Sequence, residues 1–413
     1  MAEILRVWLR RLIPVLILGL VALLGYANLT FVENAPAQTP FVARWTGLRA
    51  WLTQGTSPYD ASVSQDSQVR MYGRPANAAR GEDPQHFLYP PAVAVYLGPL
   101  AFLSFPIARA AWMSVLQIAI VALPLVSAIA FRWPMGGWMR VGSVALGLFS
   151  LPGFLAVLNG DVAAVVSLAI VVSLAALHRR RDAAAGLLAA TAIVKPQLGL
   201  LCLIYLFVWG IRQRRWTLIG WMTTGLAVLL GASTALLPLW PLDVARQVVD
   251  YGEIPTLRSA VSWVLGTAAH PYSGLVGIGS ALLLGYLFWE WRLSFAGGER
   301  GMLWGAMLTL TVTAVLSPFS VLANQLLLIP PLMLAVSVWH TRLGPGRESV
   351  LAFIVLALGL ATWAGASGGL DAASTPAASI VLPPILVGVA LWWVRWWATK
   401  LSLAREGLES RPS

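Results

Sequence analysis

The sequence predicts an all-α polytopic membrane protein with about 12 transmembrane helices, and three observations predict it. Of its 413 residues 58% are hydrophobic and only 11% are charged, whereas a typical soluble domain carries about a quarter charged residues to solvate its surface. Apolar runs recur along almost the whole chain, and a helix of about 20 such residues crosses the hydrocarbon core at a rise of 1.5 Å per residue. The net charge of +11 is gathered into short arginine clusters between those runs, the pattern of cytoplasmic membrane loops and not of a nucleic-acid footprint.

The first element is a helix near 12–30, preceded by Arg6, Arg10 and Arg11. Ala35-Pro36-Ala37 after it has the small residues of a cleavage site, but a chain that is itself membrane-embedded needs an in-going first helix, so the segment reads as uncleaved. Positive-inside counting puts the clusters Arg132 to Arg140, Arg179 to Arg181, Arg212 to Arg215, Arg292 to Arg300, Arg342 to Arg347 and Arg395 to Arg411 in the cytoplasm with the N-terminus. Both termini then lie inside, here of a bacterial plasma membrane, and the number of crossings is even. The remaining helices fall near 107–131, 141–158, 161–178, 183–194, 197–211, 217–238, 271–290, 301–317, 320–340, 350–366 and 378–397. The apolar stretch 87–105 carries Pro90, Pro91 and Pro99, so it reads as partly inserted or re-entrant.

Two long polar connections, about 30–87 and 239–270, fall on the outer side, the first with an interfacial helix near 44–54 that places Trp45, Leu48 and Trp51 on one side. Residues 1–340 form the main transmembrane region, and 341–413 form C-terminal helices and a cytoplasmic tail. No repeat relates the two halves, which weighs against a transporter. Cys202 is alone, so no intrachain disulfide exists.

Scarce polar residues at the ends of apolar helices are the candidate site, because lipid makes each of them expensive. Lysine occurs only at 195 and 400. Lys195, followed by Pro196 and Gln197, is either a lysine snorkelling from a helix end or an ammonium that binds the phosphate of a lipid carrier. In Asn159-Gly160-Asp161 the carboxylate either caps the next helix or lines a cavity rim with Asn159, facing sugar hydroxyls. Adjacent amides at Asn324-Gln325, after Ser317-Pro318-Phe319-Ser320, favour a water-filled cavity. His86, three residues before Tyr89-Pro90-Pro91, is a solvated loop histidine or a base. Gly55-Thr56-Ser57-Pro58-Tyr59-Asp60 reads as a turn ending the interfacial helix, and Glu82-Asp83 as a pair solvating a turn, so no metal is called for. HExxH, CxxC and Walker motifs are absent, which removes the ATPase and zinc-enzyme classes.

The order of these features resembles the GT-C superfamily of membrane glycosyltransferases, and more narrowly glycosyltransferase family 87, over about residues 12–340. One helix is followed by a large outer loop with G-x-x-P-Y, then F-x-Y-P-P, a Gly/Asn turn, a K-P hairpin and S-P-x-S. The family includes a polyprenol-phosphate-mannose-dependent mannosyltransferase of the cell envelope. The resemblance implies transfer of a sugar, usually with inversion, from a polyprenyl-phosphate donor to a glycolipid or glycan acceptor, without a further cofactor. It implies donor and substrate binding by Arg44, Arg49, His86, Tyr89, Asn159, Asp161, Lys195, Gln197, Arg258, Asn324 and Gln325. Family members place an Asp before Phe early in the first loop, where this chain has Pro40-Phe41; Glu33 or Asp60 then stands in as the catalytic base. A non-catalytic lipid-binding subunit of an envelope-assembly complex, or a transporter, is the alternative.

Overall fold

The computed structural model describes residues 2–34, 39–80, 82–133, 135–251, 259–266, 273–317, 321–343, 357, 359, 362–363 and 377–398. All regular structure among them is helical. The chain divides into two compact units, 1–88 with 93–118 and 157–160, and 89–92 with 119–156 and 161–413.

In the first unit α1 (Ala2–Asn34) exposes Val15, Leu16, Leu18, Leu20 and Leu23, a face that suits lipid and not water. Near its end Asn28 donates to Ser114 Oγ at 2.9 Å and Gln117 Oε1 at 2.7 Å, both on α5 (Phe105–Ala130). The expected interfacial helix is α2 (Phe41–Gln54), but it does not present its apolar side outward. Trp45 and Leu48 are buried in protein, with Phe105 against Trp45 at 5.4 Å between ring centroids. Thr39 accepts the Phe41 N–H and Pro40 follows it, a threonine-then-proline start that needs no acid. Gly55, at φ +71°, ends α2 as the turn motif predicts.

A second helix in this loop, α3 (Ala61–Tyr72), was not expected, because its polar sequence carries no apolar period; Asp60 caps it and Gly73 stops it. Residues 91–102 form only short pieces, two 3-10 turns around α4 (Ala94–Leu97). Prolines at 91 and 99 supply no N–H to a longer ladder.

The second unit contains α6 (Gly137–Phe149), α7 (Leu151–Leu158), α8 (Ala163–His178), α9 (Asp182–Ala190), α10 (Pro196–Arg212), α11 (Trp216–Leu236), α12 (Trp240–Tyr251), α13 (Ala260–Leu265), α14 (Gly274–Ala296), α15 (Gly298–Leu316), α16 (Ile329–Leu343) and α17 (Ala377–Trp393). α8 and α15 are buried along almost their whole length, as helices apolar on all sides must be. The threonines of α15 are satisfied within it, Thr309, Thr311 and Thr313 each donating to the carbonyl four residues earlier.

Five helical segments, 14–34, 105–130, 216–236, 274–296 and 322–342, are long and apolar enough to cross a bilayer, and six if a bent pair is one span. The count of twelve is therefore not reached among the described residues. The segments expected at 161–178, 183–194, 197–211 and 378–397 are apolar but shorter than a full span, and nearly all of 350–366 lies outside the described residues. The span expected at 141–158 is two helices, α6 and α7, meeting at 53°. Pro152, in the first turn of α7, ends the earlier ladder.

Three helices stop in the same way. Arg132, Arg180 and Arg214 adopt left-handed φ of +53°, +58° and +53°. Each donates its N–H three residues back, to Ile129, Leu177 and Ile211, while the next residue donates five back, to Ala128, Ala176 and Gly210. This is the Schellman stop, whose left-handed position is usually glycine.

Candidate functional site

Lys195 lies where a 3-10 turn, Thr191–Val194, meets α10. Pro196 takes the first helical position, and the residue before a proline is pushed out of helical backbone. The lysine side chain is 3% exposed, so it does not snorkel to a surface. Its ammonium donates to Asp161 Oδ1 at 2.6 Å and Asn324 Oδ1 at 2.7 Å. Asp161, 4% exposed, also accepts the Ala163 N–H at 2.8 Å. The sequence offered helix capping or a cavity rim for this carboxylate; it accepts a backbone N–H at the start of α8 and also pairs with Lys195, which the sequence did not indicate. Asn324 Nδ2 lies 3.5 Å from Ser317 Oγ. An ammonium has three N–H donors, and the third of Lys195 has no acceptor among the described residues. A buried charge pair survives desolvation best when its remaining lone pairs and protons are satisfied; the Asn324 amide and the Ala163 N–H meet part of that need and leave one ammonium N–H over.

Gln325, beside Asn324, faces elsewhere. Its Nε2 donates to the carbonyls of Ser379 at 2.7 Å and Ile380 at 3.2 Å. Pro383 and Pro384 inside α17 leave those two carbonyls without their i+4 donors, and Gln325 replaces both. Gln197 is half-buried in the first turn of α10, and Tyr89 is buried.

The other described candidates belong to the first unit. Arg44 Nη1 donates to the carbonyls of Asn159 and Gly160, and Trp112 Nε1 donates to Gly160 at 2.9 Å. Thr39 Oγ1 donates to Leu158 at 3.0 Å, so the carbonyls of Leu158, Asn159 and Gly160 each have a side-chain donor. Arg49 and Trp45, one turn apart on α2, hold the end of a 3-10 turn through the carbonyls of Ala101, Leu103 and Leu100. His86 Nδ1 pairs with Ser64 Oγ at 2.9 Å. Glu33 stands exposed at the end of α1. Asp60 accepts the Oγ–H and N–H of Ser62, and these hold its carboxyl below the usual range. Arg258 lies outside the described residues. Sequence reasoning missed Arg109, buried at 3% near the start of α5; the rule that singles out Lys195 applies to it equally.

Two tests arise here. Gly160 has φ +64°, and a Cβ on it would stand 2.8 Å from the Phe41 ring. Gly160→Ala is expected to destabilise by about 2–4 kcal/mol, strain and overpacking together, read as a lowered Tm in detergent. Glu82 takes a bidentate contact from Arg74 and accepts the Asn77 N–H, and these pull its pKa from 4.5 to about 2. A depressed folded pKa stabilises above the unfolded value and is lost as pH falls through the folded one. Amide protection factors around residues 74–82, taken relative to the unstructured peptide at each pH, should therefore fall between pH 4.5 and about 2 in the wild type, and Glu82→Gln should remove that dependence.

The family model for glycosyltransferase family 87 matches residues 87–318. No curated protein and no solved structure matches. The matched stretch is more than half of the chain and contains Asp161, Lys195 and Ser317, three of the four residues whose side chains meet in the buried cluster. By that match the chain belongs to glycosyltransferase family 87.

Proposed function

We propose that the protein is a GT-C-type glycosyltransferase of the plasma membrane, with about 12 crossings and both termini cytoplasmic. It moves a sugar from a polyprenyl-phosphate donor to a hydroxyl of a glycolipid or glycan acceptor on the extracytoplasmic side. The observation that carries this reading is the Asp161–Lys195–Asn324 cluster, an ion pair and amide retained inside an apolar helical body where ionisable groups mark sites of function. In the reaction the acceptor oxygen attacks the anomeric carbon while its proton passes to a carboxylate. The bond from that carbon to the phosphate oxygen breaks, and polyprenyl phosphate departs with the electron pair.

Lys195 is assigned to the departing phosphate through its third N–H, with Asn324 and Gln197 as further donors. Glu33 or Asp60 takes the proton; Ser62 weakens Asp60 as a base, so Glu33→Gln is expected to cost more activity. Family membership supports transfer in general, and the apolar helices support a donor presented from lipid.

The test is transfer of labelled sugar from a polyprenyl-phosphate donor by the purified protein. Transfer that is lost in Lys195→Ala supports the assignment. Unchanged transfer in that variant would remove Lys195 from the phosphate role. Pro40, standing where relatives carry an acid, favours one second reading, a lipid-binding subunit without turnover. That reading expects the donor to bind to the pure protein without being consumed.

A further inference from the structure

A cleft apart from the buried cluster lies between α2 and α3 in the first unit. It has a volume of about 240 Å³ and is lined by Trp45, Thr46, Arg49, Gln54, Ser62, Asp66 and Arg70, among others. That is smaller than a pocket for a drug-sized molecule, and suits one headgroup or one sugar unit.

Its charges do not balance. Arg70 Nε donates to Asp66 at 3.0 Å, the one acid in the lining, and Arg49 uses Nη1 alone on the carbonyls of Ala101 and Leu103. A guanidinium carries five N–H donors in a planar fork. Arg49 Nη2 and both Nη of Arg70 therefore have no acceptor among the described residues. Both guanidinium groups lie against the same indole, Trp45, at 5.2 Å and 5.5 Å from its centroid. The ring keeps two cations close together where one carboxylate cannot neutralise both. Thr46, 5% exposed, lines the same cleft, and its hydroxyl has no hydrogen-bond partner among the described residues. Buried hydroxyls are normally paired, so this one marks a place for a further polar atom.

We propose that the α2–α3 cleft binds an oxyanion, phosphate ester or carboxylate, on a ligand of sugar or glycerol size, with Arg49 and Arg70 as its donors. Paired N–H groups of a guanidinium match two oxygens of such a group. The site stands independently of the transfer reaction, and its occupancy is measured without turnover.

The experiment is calorimetric titration of the full-length protein in neutral detergent with glycerol 1-phosphate and methyl glucuronide, and with methyl glucoside as the uncharged control. Saturable binding of either anion, absent for the glucoside, is the expected result. Arg70→Gln should weaken it at least tenfold while Tm stays unchanged, since an exposed pair such as Arg70–Asp66 contributes little to folding. Thr46→Val, similar in size, should weaken it several-fold. Repeating the titration in nanodiscs with and without phosphatidylglycerol separates the sources. Competition by the anionic lipid identifies a headgroup, and its absence identifies a soluble ligand; both support the site. No binding, equal binding of the glucoside, or full affinity in Arg70→Gln would overturn it.

Discussion

Lys195→Met is expected to lower the stability of the detergent-solubilised protein by about 3–5 kcal/mol, because it leaves the Asp161 carboxylate buried without its cation. Sugar transfer should fall at least about 100-fold, the scale of removing one preorganised donor to a developing negative charge. The double variant Lys195→Met with Asp161→Asn has no uncompensated charge. Its Tm should return most of the way, since neutral replacements for a buried pair are well tolerated. The two measurements then separate. Stability that recovers while transfer stays lost assigns Lys195 to the phosphate; recovery of both would make the pair a structural bolt between α8 and α10 and end the catalytic assignment.

Gly153→Ala should give the second large effect. Gly153 sits in the first turn of α7, and a Cβ built on it falls far inside contact with the Gly147 carbonyl of α6, across the 53° bend. The obstacle is backbone, so no rotamer relieves it. The bend must open, and a loss of about 3 kcal/mol is expected, the upper end for overpacking. Gly137, at the start of α6, has open space around its missing Cβ. Gly137→Ala is the control, expected to be neutral or to stabilise by about 0.5–1 kcal/mol. A Tm lowered equally in both variants would show that the bend is not fixed by the glycine contact.

What the sequence reveals and what it hides divide along physical lines. Apolar length is a local property, and it places α5 within two residues at its start and one at its end, 105–130 for an expected 107–131. The 53° bend in 141–158 had a local signal too, in Pro152, which an uninterrupted apolar run overrides by eye. α3 lacked any apolar period, yet Asp60 two residues before Ser62 and Gly73 after Tyr72 are its start and stop signals. The site follows the same rule. Lys195, Asp161 and Asn324 stand out singly because each is costly where it sits. Their meeting, across 34 and 129 residues of chain, is a tertiary fact. Nor does sequence say what a guanidinium will face. Arg44 and Arg49, expected at a phosphate, spend donors on backbone carbonyls that chain turns leave open. The snorkelling alternative for Lys195 failed because Pro196 redirects the backbone before it.

The three arginine stops carry a further implication for how such a protein comes to be inserted. A left-handed residue with a side chain is strained by about 1–2 kcal/mol relative to glycine, so glycine at 132, 180 and 214 should make the mature protein melt later. Arginines beside apolar segments are charges by which nascent chains are oriented at a translocon, and we propose that these three act in that way. Stability is felt throughout a protein's life, whereas sidedness is decided once, during synthesis. A triple Arg→Gly variant is therefore expected to yield fewer correctly oriented molecules, each sturdier than its parent.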